Sequence, residues 1–159
     1  MADMQDGALA RTGVFTAVSK DGAVVGCGVE GSGPPLLVIH GTGDTQRGWR
    51  RLRPLLAPYF TLYLMDRRGR GVSGDREAYA LEREWEDVAA LIEAISAGHG
   101  AQADATPQVP VPVNVFAHSF GGMCALEGAR LVQPGRLGSM VIYEPSVNRM
   151  TGNPKREAA

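Results

Sequence analysis

Ser119 stands in the stretch FAHSFGG (116–122), after the run PVNVFA and before GMCALEGARLV. The first of these runs has the pattern of a strand and the second that of an apolar helix. A serine at such a junction needs a sharp turn and neighbours without bulk. Ala117 and Gly121 stand two residues before and two after it, and Gly122 adds room. The helix start behind Ser119 favours negative charge at a reacting centre. The amide of Phe120 enters the same space as one arm of an oxyanion hole. This arrangement suits attack by the Ser119 hydroxyl on a carbonyl carbon. Its plain alternative is a serine that caps a helix. A hydroxyl is a poor nucleophile unless a base takes its proton. His118 adjoins Ser119, and neighbouring side chains on such a turn diverge. His99 lies between a helix and the following strand, at the amino end of the sheet. His40 ends another strand, PPLLVIH, and opens the loop HGTG.

The elements that must position these residues alternate along the chain. Val14 to Val18 and Ala23 to Val29 form two strands around the turn signal Asp21-Gly22. PPLLVIH and FTLYLMD are continuous apolar runs of the kind buried on both faces. Between them, Trp49, Leu52, Leu55 and Leu56 recur at helical spacing, closed by Pro58. Trp85, Val88, Ala89, Ile92 and Ile95 form the apolar stripe of a longer helix, with acids and Arg83 on its other face. Gly98 to Pro112 is an Ala-, Pro- and Gly-rich connector, and GSMVIYE is a further strand. The expected architecture is α/β: three layers, a mostly parallel sheet with helices on both faces. In such sheets chemistry gathers at the carboxyl ends of the strands. His40 to Gly43, Asp66 to Gly74, Ser119 to Gly122 and Tyr143 to Pro145 all fall there. The expected organisation is a tail at 1–12, one domain at 13–145 and a second tail at 146–159.

Composition narrows the function classes. At 159 residues, 44% hydrophobic and 21% charged, the chain suits one soluble globular domain. A net charge of -1 gives no reason to expect nucleic acid or an anionic membrane as partner. The arginines at 47–53 and 67–70 have carboxylates and turn residues nearby, which reads as solvated surface. Cys27 and Cys124 are far apart, lack metal or redox spacing and suit free thiols. With no signal-like N-terminus and no long apolar run, the expectation is a cytoplasmic protein without cofactor or metal.

Four stretches in order carry a family resemblance: LLVIHGTGDTQRGW, LYLMDRRGRGVSGD, NVFAHSFGGMCALEGA and VIYEP. The chain resembles the α/β-hydrolase fold superfamily, in particular its single-domain esterase, haloperoxidase and C–C hydrolase-like members, from about Gly13 to Pro145. FAHSFGG then corresponds to the nucleophile elbow G-x-S-x-G, with alanine in the first position. The resemblance implies strand order 1-2-4-3-5-6, Ser119 as nucleophile, and the backbone amides of Thr42 and Phe120 as the oxyanion hole. The turn from Asp66 to Gly74 shapes the backbone. In that order His40 lies one strand from Ser119 and is the nearest candidate base, or else an imidazole that holds the oxyanion loop.

The family's triad continues with an acid and a histidine later in the chain. Little sequence follows VIYEP, so the last two strands, the cap and the triad histidine are expected to have no counterpart in this chain. A small ester-like substrate is expected, with weak or no activity from this chain. The rival expectation is a binding or scaffold module, or a gene remnant, that associates through its sixth strand as a homodimer or with a complementing chain. Gly69 to Gly74 also matches GxGxxG, but Asp66, Arg67 and Arg68 stand between the apolar run and the glycines and no acid ends a strand twenty residues on, so a dinucleotide site is not expected.

Overall fold

The computed structural model describes residues 11–76, 78–99 and 109–146. Six strands form one sheet in the order β1-β2-β4-β3-β5-β6. They are β1 (Arg11–Val18), β2 (Val24–Gly31), β3 (Pro35–Ile39), β4 (Thr61–Asp66), β5 (Val113–His118) and β6 (Leu137–Tyr143). β1 to β2 and β2 to β4 are antiparallel; β4 to β3, β3 to β5 and β5 to β6 are parallel. The parallel half carries the serine turn, as the pattern of alternating strands and helices requires.

The first strand begins at Arg11, so residues 11 and 12 belong to the domain and not to a tail. Pairing explains the extension, because Arg11 and Thr12 lie opposite Gly31 and Glu30. The hairpin closes at Asp21-Gly22: Gly22 adopts φ 83°, and the Ala23 amide donates to the Asp21 carboxylate at 3.0 Å. Ser146, expected to open the second tail, is bonded to the serine turn. Residues 1–10, 100–108 and 147–159 lie outside the described residues, and with them most of the expected tails and connector.

Alternation along the central strands divides the interior in two. Leu37 and Ile39 of β3 and Tyr63 and Met65 of β4 face the larger core. There they meet Val88, Leu91, Ile92 and Ile95 of α2 (Leu81–Gly98) and Met123, Cys124 and Ala125 of α3 (Phe120–Ala129). Leu36, Val38, Leu62 and Leu64 face the other way, against Trp49, Leu56, Phe60 and Phe116. That face is covered by a 3₁₀ turn (Gln46–Arg51) and the single-turn α1 (Arg53–Leu56), where the spacing of Trp49 and Leu56 suggests one helix. Pro54 has no amide to donate and fits the start of α1.

Two expectations about charge are corrected. Arg67 and Arg68 are not solvated: their side chains are 3% and 1% exposed. Nor do all the acids of α2 face solvent, since Glu84 and Asp87 are buried. Each guanidinium forms two bonds to one carboxylate, Arg67 to Glu84 at 2.8 and 2.6 Å and Arg68 to Asp87 at 2.7 and 2.7 Å. Buried charge is tolerated because both partners enter together with matched planar geometry.

Candidate active site

Ser119 occupies the one-residue gap between β5 and α3. Its backbone has φ 53° and ψ −121°, a combination that costs a non-glycine residue energy and persists only where the surroundings enforce it. Several contacts do so. The Ser119 amide donates to the Tyr143 carbonyl at 3.0 Å, and the Ser119 carbonyl accepts from Gly122 at 2.9 Å and Ser146 at 3.3 Å. Gly121 packs so closely on the end of β3 that a Cβ there would overlap the His40 carbonyl oxygen and approach Ile39 Cγ2 to 2.9 Å. A Cβ at Gly122 would meet Ile142 Cγ2 at 2.7 Å. These two glycines are required by close approach, and they let α3 begin immediately after the serine.

The HGTG loop lies against this turn. A Cβ on Gly41 would stand 3.0 Å from Ser119 Cβ. The Gly41 carbonyl is held from two sides, by His40 Nδ1 at 2.8 Å and by Arg67 Nη1 at 3.2 Å. In a trans peptide the next N–H points opposite to that carbonyl, so these bonds fix the direction of the Thr42 amide. Phe120 opens α3, and its amide has no acceptor within its own helix. Further along the loop, the Asp66 carboxylate accepts from the Gln46 amide at 2.7 Å, Gln46 Nε2 at 2.7 Å and the Val72 amide at 3.0 Å. Asp66 thereby ties the loop after β3 to the loop after β4.

His40 is fully buried with both ring nitrogens engaged. Nδ1 bonds the Gly41 carbonyl, and Nε2 accepts from the Arg67 amide at 3.2 Å. That pair of partners selects the tautomer with the proton on Nδ1. Burial holds the imidazole below its ordinary pKa, outweighing the Gly41 bond that favours the charged form. His118 stacks on Tyr143, with ring centroids 5.6 Å apart, and meets Trp49 edge-on. His99 lies beside Tyr63, whose hydroxyl is 3.2 Å from His99 Nδ1. The side-chain partner of Ser119 Oγ is a residue that the sequence did not single out: Ser146 Oγ, at 3.2 Å. Glu144, two residues earlier, is the other non-glycine residue with positive φ among those described, at 47°.

A cleft of about 700 Å³ opens beside Thr42 and Phe120, walled by Arg70, Tyr79, Leu81 and Met123. Arg67 forms part of its floor and stacks over the Phe120 ring, with Cζ 4.3 Å from the centroid. Burial of Cys124, on α3, pushes its thiol up to about 12, so it packs as a small apolar group. The glycine loop at 69–74 is committed internally. The amides of Gly69, Arg70, Ser73 and Gly74 donate to the carbonyls of Gly74, Arg67, Arg70 and Val24. With Val72 bound to Asp66, those donors are spent within the chain.

Residues 36–158 match the Alpha/beta hydrolase family, and the chain belongs to that family. It is similar to a pimeloyl-[acyl-carrier protein] methyl ester esterase of Photobacterium profundum, 30% identical over 117 residues that cover 74% of this chain and 39% of that protein. It is also similar to a fluoroacetate dehalogenase of Burkholderia sp, 45% identical over 49 residues covering 31% of this chain and 16% of that protein. An alpha/beta hydrolase of Sphaerobacter thermophilus DSM 20745 superposes with a TM-score of 0.66 at 35% identity, covering 82% of this chain and 45% of that one. The chain thus spans less than half the length of these relatives. Among the described residues no helix is long and apolar enough to cross a membrane.

Proposed function

We propose that this chain is the nucleophile-bearing core of a serine hydrolase that acts on esters or related carbonyl substrates. Ser119 Oγ attacks the carbonyl carbon. The bond to the leaving alkoxide breaks, and water later releases the acyl group from Ser119. The amides of Thr42 and Phe120 receive the oxygen as it gains charge. His40 orients the oxyanion loop and is not the base, because both its nitrogens are already bonded to backbone groups. The observation that carries this reading is the strained backbone of Ser119, with Gly41 against its Cβ and Gly121 seated on the end of β3. The esterase among the relatives supports esters as the substrate class. Among the described residues the side-chain partner of Ser119 Oγ is Ser146 Oγ, which is no base near neutral pH. Catalysis without a base falls by several orders of magnitude, to the contribution of an oxyanion hole and cleft, roughly 10³–10⁴ over water.

The test is intact-mass spectrometry after exposure to a fluorophosphonate, beside a Ser119→Ala control shown to be folded by circular dichroism. An adduct on the wild type alone is expected. A folded wild type that gains no mass, even after long exposure, would rule out Ser119 as the nucleophile.

One observation favours association as a second property. Among the described residues β6 is an edge strand, LGSMVIY carries no charge or proline, and Val141 and Tyr143 on it are 58% and 55% exposed. Such an edge pairs readily with another strand. We propose that this edge joins a second copy or a complementing chain.

A further inference from the structure

The serine turn is braced from β6 by a four-residue segment, Tyr143 to Ser146, which makes three separate contacts with the one residue Ser119. The Tyr143 carbonyl accepts the Ser119 amide, the Ser146 amide donates to the Ser119 carbonyl, and the two hydroxyls meet at 3.2 Å. The brace is itself built under constraint. Glu144 takes φ 47°, which turns the chain back over the elbow, and Pro145 then packs against Gly122, where a Cβ would lie 3.5 Å from Pro145 Cβ. A residue with positive φ on each side of the contact, joined by backbone bonds in both directions, makes a rigid frame. The only freedom left to Ser119 within that frame is rotation of its hydroxymethyl group, and the Ser146 hydroxyl restrains that rotation.

We infer that Ser146 is a positioning residue: its hydroxyl holds Ser119 Oγ in a single rotamer beside the Thr42 and Phe120 amides. This rests on Ser119 being the nucleophile. A serine hydroxyl cannot serve as the base near neutral pH, so Ser146 acts through the direction of Oγ and not by taking its proton. Either hydroxyl can donate in the pair, and both choices fix the same torsion. A free side chain divides itself among three staggered wells. Loss of the Ser146 hydroxyl therefore lowers the population of the reactive rotamer by about threefold.

The experiment is nuclear magnetic resonance on protein carrying β-carbon-labelled serine, with Ser146→Ala and Ser146→Thr beside the wild type. The vicinal couplings of Ser119 are expected to show one staggered well in the wild type, averaged values in Ser146→Ala, and the single well again in Ser146→Thr. The rate of fluorophosphonate labelling is expected to fall about threefold in Ser146→Ala at every pH from about 6 to 9 and to recover in the threonine variant. Averaged couplings in the wild type would overturn the inference without any variant. So would unchanged couplings in Ser146→Ala, or a labelling profile whose pH dependence shifts, since positioning does not titrate. If the wild type takes no label, the hydrolase reading fails while the couplings still decide the role of Ser146.

Discussion

The Arg67–Glu84 pair offers the most decisive perturbation, because it carries two tasks that can be pulled apart. Both side chains are almost fully enclosed, at 3% and 2% exposed. Arg67→Met leaves the Glu84 carboxylate in the interior with the Tyr79 hydroxyl, 3.4 Å away, as its remaining side-chain partner. An uncompensated buried charge of this kind costs about 3–5 kcal/mol. Glu84→Leu leaves the guanidinium with the Gly41 carbonyl and the Phe120 ring, so its cost lies toward the lower end, about 3 kcal/mol. The double variant removes both charges and keeps apolar bulk, and should return to within about 1 kcal/mol of the wild type. The second task does not return. Without Arg67 the Gly41 carbonyl loses one of its two anchors, and the Thr42 amide loses its fixed direction. Urea denaturation followed by circular dichroism gives the stabilities, and fluorophosphonate labelling at Ser119 gives the function. The expected signature is a double variant as stable as the wild type that labels at least several-fold more slowly. Single variants costing less than about 1 kcal/mol each, with additive effects in the double, would refute the reasoning that the pair is buried and coupled.

Three further outcomes are expected. Gly121→Ala drives a Cβ into the His40 carbonyl and Ile39, so it should lower stability by at least about 2 kcal/mol and abolish labelling; a variant with wild-type urea midpoint would contradict that packing. His40 has a folded pKa below its ordinary value of 6.5, so the unfolded chain binds the proton first as pH falls. Stability should hold above pH 6.5 and decline below it, by up to about 1.4 kcal/mol per pH unit, and His40→Gln should flatten that slope in denaturation midpoints measured between about pH 5 and 7. Val141→Lys places a charge on the open edge and should convert any β6-mediated assembly to monomer in sedimentation velocity; a wild type that sediments as a monomer at high concentration would end the association proposal.

Much of the scaffold was legible because its signals are local. The unbroken apolar runs of β3 and β4, the Asp-Gly turn and the stripe on α2 each state their element within a few residues. The serine turn was legible for the same reason, since its small neighbours adjoin it. What escaped the sequence was long-range pairing. Arg67 and Arg68 look like surface arginines until Glu84 and Asp87 arrive 17 and 19 residues later. The available signal was two consecutive arginines at the end of a buried strand, followed by two acids spaced i, i+3 on a helix that faces it. Ser146 was assigned to a tail because its partner lies 27 residues away. His40 was readable as a base or as a loop-orienting imidazole, and its ring partners, the Gly41 carbonyl and the Arg67 amide, were not visible in the sequence.

The position of Arg68 has a consequence for how the molecule comes apart. Its guanidinium reaches Asp21 at the tip of the β1–β2 hairpin at 2.9 Å, while the same group grips Asp87 and the Arg83 carbonyl on α2. Burial opposes its charge, but the bonds to Asp87 and Asp21 outweigh that and raise its pKa. A hairpin at a sheet edge is ordinarily among the first segments to fray in native-state fluctuations. Here the hairpin cannot peel away without stripping a buried cation of one of its counter-charges. Amide exchange in β1 and β2 should then slow toward the rate set by global unfolding, so that the hairpin and the helical layer open as one cooperative unit.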